Sequence, residues 1–175
     1  MSPGGAPAPR ARSRASASRG SGPRPSARHA ELLRAVARDP DDFQATCELA
    51  RLLRAAGWIA EAEDRARNAV RLDPQSARAT DLLGMVLTET HRLRPGEAHY
   101  RRALDLSASR DPVTLANLAW NLKLQGRMAE ARALYLEATA EPPEVLQTLL
   151  GFARLEEADR DFAAAGRLLD RCEQL

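Results

Sequence analysis

From residue 27 onward, apolar and small residues recur three and four apart, and Gly, Pro or Asp-containing breaks interrupt the pattern. That spacing is the mark of amphipathic helices, and the breaks carry helix start and stop signals. Asp111-Pro112 is an N-cap followed by Pro in the first turn, and Asp39-Pro40 and Asp73-Pro74 punctuate two other joins. Gly57 and Gly126 fall where a left-handed turn joins antiparallel helices. The pattern predicts helices near 28–38, 43–56, 60–72, 77–91, 95–107, 112–125, 128–140, 146–159 and 162–174.

The helices are not independent. Small residues stand at Ala50, Gly84, Ala119 and Ala153, spaced 34, 35 and 34 apart. In the same phase come Leu53, Leu87, Leu122 and Glu156, then Ala62, Gly96, Ala131 and Ala165, then Ala66, Tyr100, Tyr135 and Leu169. Ala69, Ala103, Ala138 and Cys172 complete the unit, with Pro74 and Pro143 closing two of the repeats. The extra residue falls between Ala103 and Ala119, in the loop-like string SASRDP. Small residues at a fixed phase let two helices approach to 8–10 Å, and larger apolar residues fill the space beside the crossing. One such hairpin cannot bury its apolar face alone, so neighbours must stack into a continuous core.

This recurrence resembles the tetratricopeptide repeat (TPR), a 34-residue helix–turn–helix unit. The string NLAWNLKLQGRMAEARALYLEATAEPP, residues 117–143, matches best, through Leu118-Ala119, Leu122, Gly126, Ala131, Tyr135, Ala138 and Pro143. Residues 81–106 match through Leu83-Gly84, Leu87, Tyr100 and Ala103. The family's Trp is missing from every unit, where Thr46, Thr80, Leu115 and Leu149 stand, and Glu156 interrupts an apolar position. The resemblance implies an all-α, TPR-like solenoid of antiparallel hairpins. About four repeats (43–76, 77–111, 112–145 and 146–175) follow an N-terminal half repeat, making one domain over 27–175.

Composition agrees with an all-helical domain. Aromatics are 4% of the 175 residues, too few for a β-sandwich or barrel. No apolar run is long enough to span a membrane. Residues 1–26 hold five arginines, no acid and almost nothing but Ser, Pro, Gly and Ala besides, so they are expected to be a disordered basic tail. Its prolines oppose the amphipathic helix of a transit peptide, and it lacks the apolar stretch of a secretory signal. Of the 26 basic residues all but Lys123 are arginine, which with the abundant Ala suggests a GC-rich bacterial genome. A cytoplasmic location follows as the expectation, and nucleic acid is a poor partner for a tail without stacking aromatics.

Candidate chemistry is sparse. His29, His91 and His99 lack ligand spacing, so no metal is expected. Cys47 and Cys172 read as core thiols. The acids Glu61, Glu63 and Asp64 open a helix, suit its dipole and are expected to face solvent. No phosphate loop, nucleophile elbow or HExxH is present, so no enzyme activity and no cofactor are expected.

By the resemblance, the first helix of each hairpin lines a concave groove. The places that point inward are Gln44, Cys47, Arg51 and Arg54; Arg78, Asp81, Met85 and Thr88; Val113, Ala116, Trp120 and Lys123; and Gln147, Leu150, Arg154 and Glu157. Asn117 matches the asparagine that binds peptide backbone in many family members. Arg51, Arg54, Arg78, Lys123 and Arg154 outnumber Asp81 and Glu157, which favours a mildly anionic extended peptide or protein partner. Trp120 is the aromatic anchor there, or else a packing residue between hairpins. The clamp that grips a C-terminal carboxylate in chaperone-binding members is missing, since Cys47, Arg51, Leu82, Val113 and Asn117 stand at its places.

The expected function is therefore a non-catalytic binding scaffold. An alternative is an accessory domain of a larger enzyme, because residues 127–145 and 153–171 are similar to repeat regions preceding bacterial sulfotransferase domains. The last helix sets Leu168 and Leu169 side by side in sequence, so both cannot face inward. That end is expected to be covered by a second copy, a partner or continuing chain.

Overall fold

The computed structural model describes residues 26–140, 142 and 145–175. The expected tail, apart from Ser26, and Pro143 lie outside the described residues. Among those described there are nine helices and no strand: α1 (Ala27–Arg38), α2 (Phe43–Ala55), α3 (Ile59–Leu72), α4 (Ala77–Glu89), α5 (Leu93–Leu106), α6 (Pro112–Leu124), α7 (Met128–Ala138), α8 (Leu146–Ala158) and α9 (Phe162–Cys172). The fold is an all-α, TPR-like solenoid in which α2–α3, α4–α5, α6–α7 and α8–α9 form successive hairpins and α1 packs on α2.

Helix ends follow local chemistry. Ser26, Asp42, Ser76, Asp111 and Asp161 each accept a backbone N–H of the first turn they cap. Asp39 and Asp73 end α1 and α3, and their carboxylates accept the N–H two residues on, at 3.1 and 3.0 Å, turning the chain into the next helix. The widest departure from expectation is α5, which starts at Leu93 and carries Pro95 within its first turn. Proline costs nothing there, because the first-turn N–H groups have no partner inside the helix.

Gly57 and Gly126 both adopt φ +78° at the hairpin turns. His91 (φ +57°) and Arg160 (φ +66°) occupy the equivalent turns of the other two hairpins. All four turns therefore need the same left-handed residue, and two of them use side chains that dislike it. An L-residue in that region is strained by about 1–2 kcal/mol, and Gly is not. Accordingly, His91→Gly is expected to raise stability by about 1 kcal/mol, read as a higher urea midpoint at unchanged slope.

The core runs through all the hairpins. Ala50, Ala66, Leu83 and Leu87 join the first hairpin to the second. Tyr100, Leu115, Leu118, Leu122, Tyr135, Leu149, Phe152 and Leu168 continue it to the last helix. Gly84 lies under the Tyr100 ring, where an added Cβ would sit 2.9 Å from ring carbons. Burial raises the Cys47 thiol pKa and leaves it a core group, as expected.

Polar links stitch hairpin to hairpin. Glu63 does not face solvent: it is buried between α3 and the next turn, paired with Arg92 and Arg67. One period on, Glu97 repeats the arrangement with Arg127 (2.8 Å) and Arg101 (2.9 Å). A further period on, the polarity reverses. Arg132 stands where the acid should be and donates two 2.8 Å hydrogen bonds to Glu156, which is 3% exposed. Glu156 thus breaks the apolar pattern only because Arg132 on the previous hairpin reaches it.

Candidate functional site

First helices touch one another along the array: α2 meets α4, α4 meets α6 and α6 meets α8. The second helices make no such contacts among the described residues. The closer-packed row must lie on the inside of the curve, so α2, α4, α6 and α8 line the concave face.

Trp120 stands in the middle of that face, 37% exposed. The Lys123 ammonium sits 4.9 Å from its ring centroid, a cation–π distance, and also donates to the Arg154 carbonyl at 2.7 Å. A recess opens on either side of the indole. One, of about 350 Å³, is bounded by Arg54, Met85, Thr88, Tyr100 and Leu124. The other, of about 190 Å³, lies between α6 and α8 against Val113, Ala116, Tyr135, Leu150, Gly151 and Arg154.

Three outcomes stand out among the expected polar groove residues and Cys47. Arg51, Arg78 and Arg154 are exposed and have no ion pair with the described residues. Arg54 and Asn117 are already engaged: Arg54 pairs with Glu89 at 2.5 Å, and the Asn117 amide donates to both oxygens of Asp81 at 3.2 and 3.3 Å. Asn117 is therefore a brace between α4 and α6 before it is a peptide donor. Burial drives the Asp81 carboxyl up to about 6, against hydrogen bonds from Asn117 and Thr114 that pull it down. Cys47 and Thr88, expected in the groove, are instead buried beneath it. Helical phase explains both: each lies on the side of its helix that meets the neighbouring elements rather than the open side.

Thr88 belongs to a buried network that sequence reading did not find. Its hydroxyl donates to the Gly84 carbonyl (2.9 Å), lies 3.3 Å from the Tyr100 hydroxyl, and accepts from the Asn121 amide (2.8 Å). Asn121 also donates to the Leu93 carbonyl and accepts from Gln125, whose amide reaches Glu97. The available signal was that Asn121 occupies a place held by Leu52, Val86 and Leu155 in the other units. A polar residue at a core phase needs partners, and these are they.

At the C-terminal end Leu168 is buried, whereas Leu169 and Leu175 are 40% and 65% exposed. The two adjacent leucines point apart, as their helical spacing requires.

Among the described residues, no helix is long and apolar enough to cross a membrane. No family model matches the chain, and no curated protein matches it. Solved structures do. A crystal structure of MamA superposes with a TM-score of 0.65 at 16% identity, covering 83% of this chain and 85% of that one. PilW, a type IV pilus biogenesis factor, gives 0.75 at 19% identity over 83% and 67%. PilF of Pseudomonas aeruginosa gives 0.64 at 20% identity over 83% and 66%. All three are TPR-type helical-repeat proteins, and at these identities the likeness establishes the fold.

Proposed function

We propose that the chain is a non-catalytic scaffold whose concave face holds an extended peptide segment of a protein partner. Trp120 carries the reading. A large aromatic standing exposed at the centre of a concave row, between two side-chain-sized recesses, is the usual form of a binding hot spot. Arg51, Arg78 and Arg154 along the same row make no ion pair with the described residues and favour a mildly anionic segment. The fold shared with MamA, PilW and PilF supports a protein-interaction role without naming the partner.

The test is quantitative affinity capture with wild-type and variant chains, followed by titration of the recovered partner. Trp120→Ala is expected to weaken binding by about 2 kcal/mol or more while helical content stays unchanged. Binding that survives Trp120→Ala, Arg51→Ala and Arg78→Ala together places the partner on another face.

A further inference from the structure

Each of the two recesses beside Trp120 reaches the phenol of a repeat tyrosine, in different company. In the first, the Tyr100 hydroxyl has Thr88 at 3.3 Å. In the second, the equivalent phenol is Tyr135, and Lys123 takes the place of Thr88 with its ammonium turned outward over Trp120. Tyr135 is 1% exposed, and its hydroxyl has no hydrogen-bond partner among the described residues. Its ring stacks on Phe152 of α8 at 5.4 Å and 8°, which draws it across the hairpin boundary. The hydroxyl comes to rest over Gly151, where a Cβ would be only 2.7 Å away. Gly151 therefore leaves room for the hydroxyl, and the atom opens into the recess.

The hydroxyl is not one of the fully buried unpartnered atoms, which among the described residues are Thr46 Oγ1 and Arg54 Nε; it is reached from the recess and is free to meet a ligand atom there. Burial raises the phenol's pKa to about 12, and Arg154 pulls the other way, so the group stays protonated and acts as a donor. Arg154 stands at the rim without an ion pair, and no carboxylate lines the recess among the described residues. At about 190 Å³ the space suits one amino-acid side chain and is too small for most cofactors. Its apolar walls, among them Val113, Ala116, Trp120 and Leu150, fit a methylene stem, and Asn117, Gln147 and Thr148 complete the lining.

We infer that the recess between α6 and α8 is a subsite for an acidic side chain of the bound peptide, with the Tyr135 hydroxyl donating to the carboxylate and Arg154 supplying the countercharge. This rests on the groove reading and adds its specificity. Tyr135 is the specificity-determining residue.

The probes are pools of fluorescein-labelled, C-amidated heptapeptides with Glu, Gln, Leu or Lys fixed at the centre and mixed flanks, read by anisotropy. The Glu pool is expected to bind about 10-fold tighter than the Leu or Lys pools. Tyr135→Phe should bring the Glu-to-Leu ratio within about 2-fold, and Arg154→Gln should erase the preference for Glu over Gln. Because the hydroxyl has no internal partner, Tyr135→Phe should hold or raise the thermal midpoint. A Glu preference unchanged in Tyr135→Phe, a stronger Leu pool, or a midpoint several degrees lower in that variant overturns the subsite. If pools bind in a Trp120-dependent way without acidic preference, the subsite falls and the groove stands. If no pool binds the wild-type chain, both fall.

Discussion

Arg132→Ala is expected to destabilise the last hairpin by about 3–5 kcal/mol, more than any surface substitution on the chain should. The reason is Glu156, buried in α8 and satisfied by two hydrogen bonds from Arg132 in α7. Removing the guanidinium strips the buried carboxylate of both its hydrogen bonds, and the series of links from the third hairpin to the fourth breaks there. Arg132 also reaches Asp159, so the loss extends to the turn that follows α8. Amide exchange should show α8 and α9 opening while α2 to α5 keep their protection, because a solenoid fails at its weakened joint. The control is Glu156→Leu, which restores the residue type found at Leu53, Leu87 and Leu122. It should cost little, because the Arg132 guanidinium left behind is partly exposed and keeps Asp159 as a partner while the buried carboxylate is gone. In that background Arg132→Ala should cost little. If Arg132→Ala costs the same in the wild-type chain and in the Glu156→Leu background, the pair is not what holds the hairpin.

Stability should peak in mildly acidic solution and fall steeply below it. Two carboxyls with opposite signs carry the largest shifts; Glu48, Glu63 and Glu130, held low by arginines, add to the acid limb, and the burial that pushes His99 down offsets part of the gain from Asp81. Burial alone would push Glu97 up, but hydrogen bonds from Gln125, Arg127 and Arg101 more than reverse it and hold the group at about 2. A depressed carboxyl stabilises the fold above its unfolded value near 4.5, and that contribution is lost as pH falls from about 4.5 to 2. The full shift corresponds to about 3 kcal/mol, and solvent screening beside the turn reduces it to about 1–2 kcal/mol. Asp81 is the opposite case: raised to about 6, it destabilises the fold when ionised, and the penalty is relieved as pH drops from about 6 towards 3.8. The urea midpoint should therefore rise from neutral pH to about pH 4–5 and collapse beneath it. Glu97→Gln should flatten the acid limb, and Asp81→Asn should flatten the limb between about 4 and 6. A profile with both limbs intact in both variants would assign the titration to other groups.

The repeat period made the fold legible because the constraint it records is local and recurrent. A small residue at each helix crossing and an apolar residue beside it must be renewed about every 34 residues or the stack opens. Helix limits followed from caps for the same reason. Side-chain pairs between hairpins were a different matter. Glu63 with Arg92, Glu97 with Arg127, and Asn117 with Asp81 are 29 to 36 residues apart, and nothing in local amphipathicity distinguishes a carboxylate that faces water from one that faces the next unit. The phase comparison held the clue in two places: Asn121 among aliphatic counterparts, and Glu156 among leucines. Both are polar residues at core positions, and both have partners on a neighbouring unit. In the groove, Trp120 and the exposed Arg51, Arg78 and Arg154 were legible from their helical places. Cys47 and Thr88 were not, because the width of the open stripe depends on how closely adjacent first helices pack. Nor was the Tyr135 hydroxyl, whose direction depends on the Phe152 ring stacked against it.

The reversed polarity at the third junction also fixes the order of the units. Moving the α8–α9 hairpin to follow α5 would set Glu97 against Asp159 and Asp161 in place of Gln125 and Arg127. Copying the α4–α5 hairpin to follow α7 would leave Arg132 facing Leu87 and Arg92. Neither exchange offends the small-residue phase, so shape alone would permit it. Charge forbids it. The chain can be lengthened by duplicating the α4–α5 unit, whose leading Arg92 and trailing Glu97 carry opposite signs, but its final hairpin accepts only the neighbour it already has.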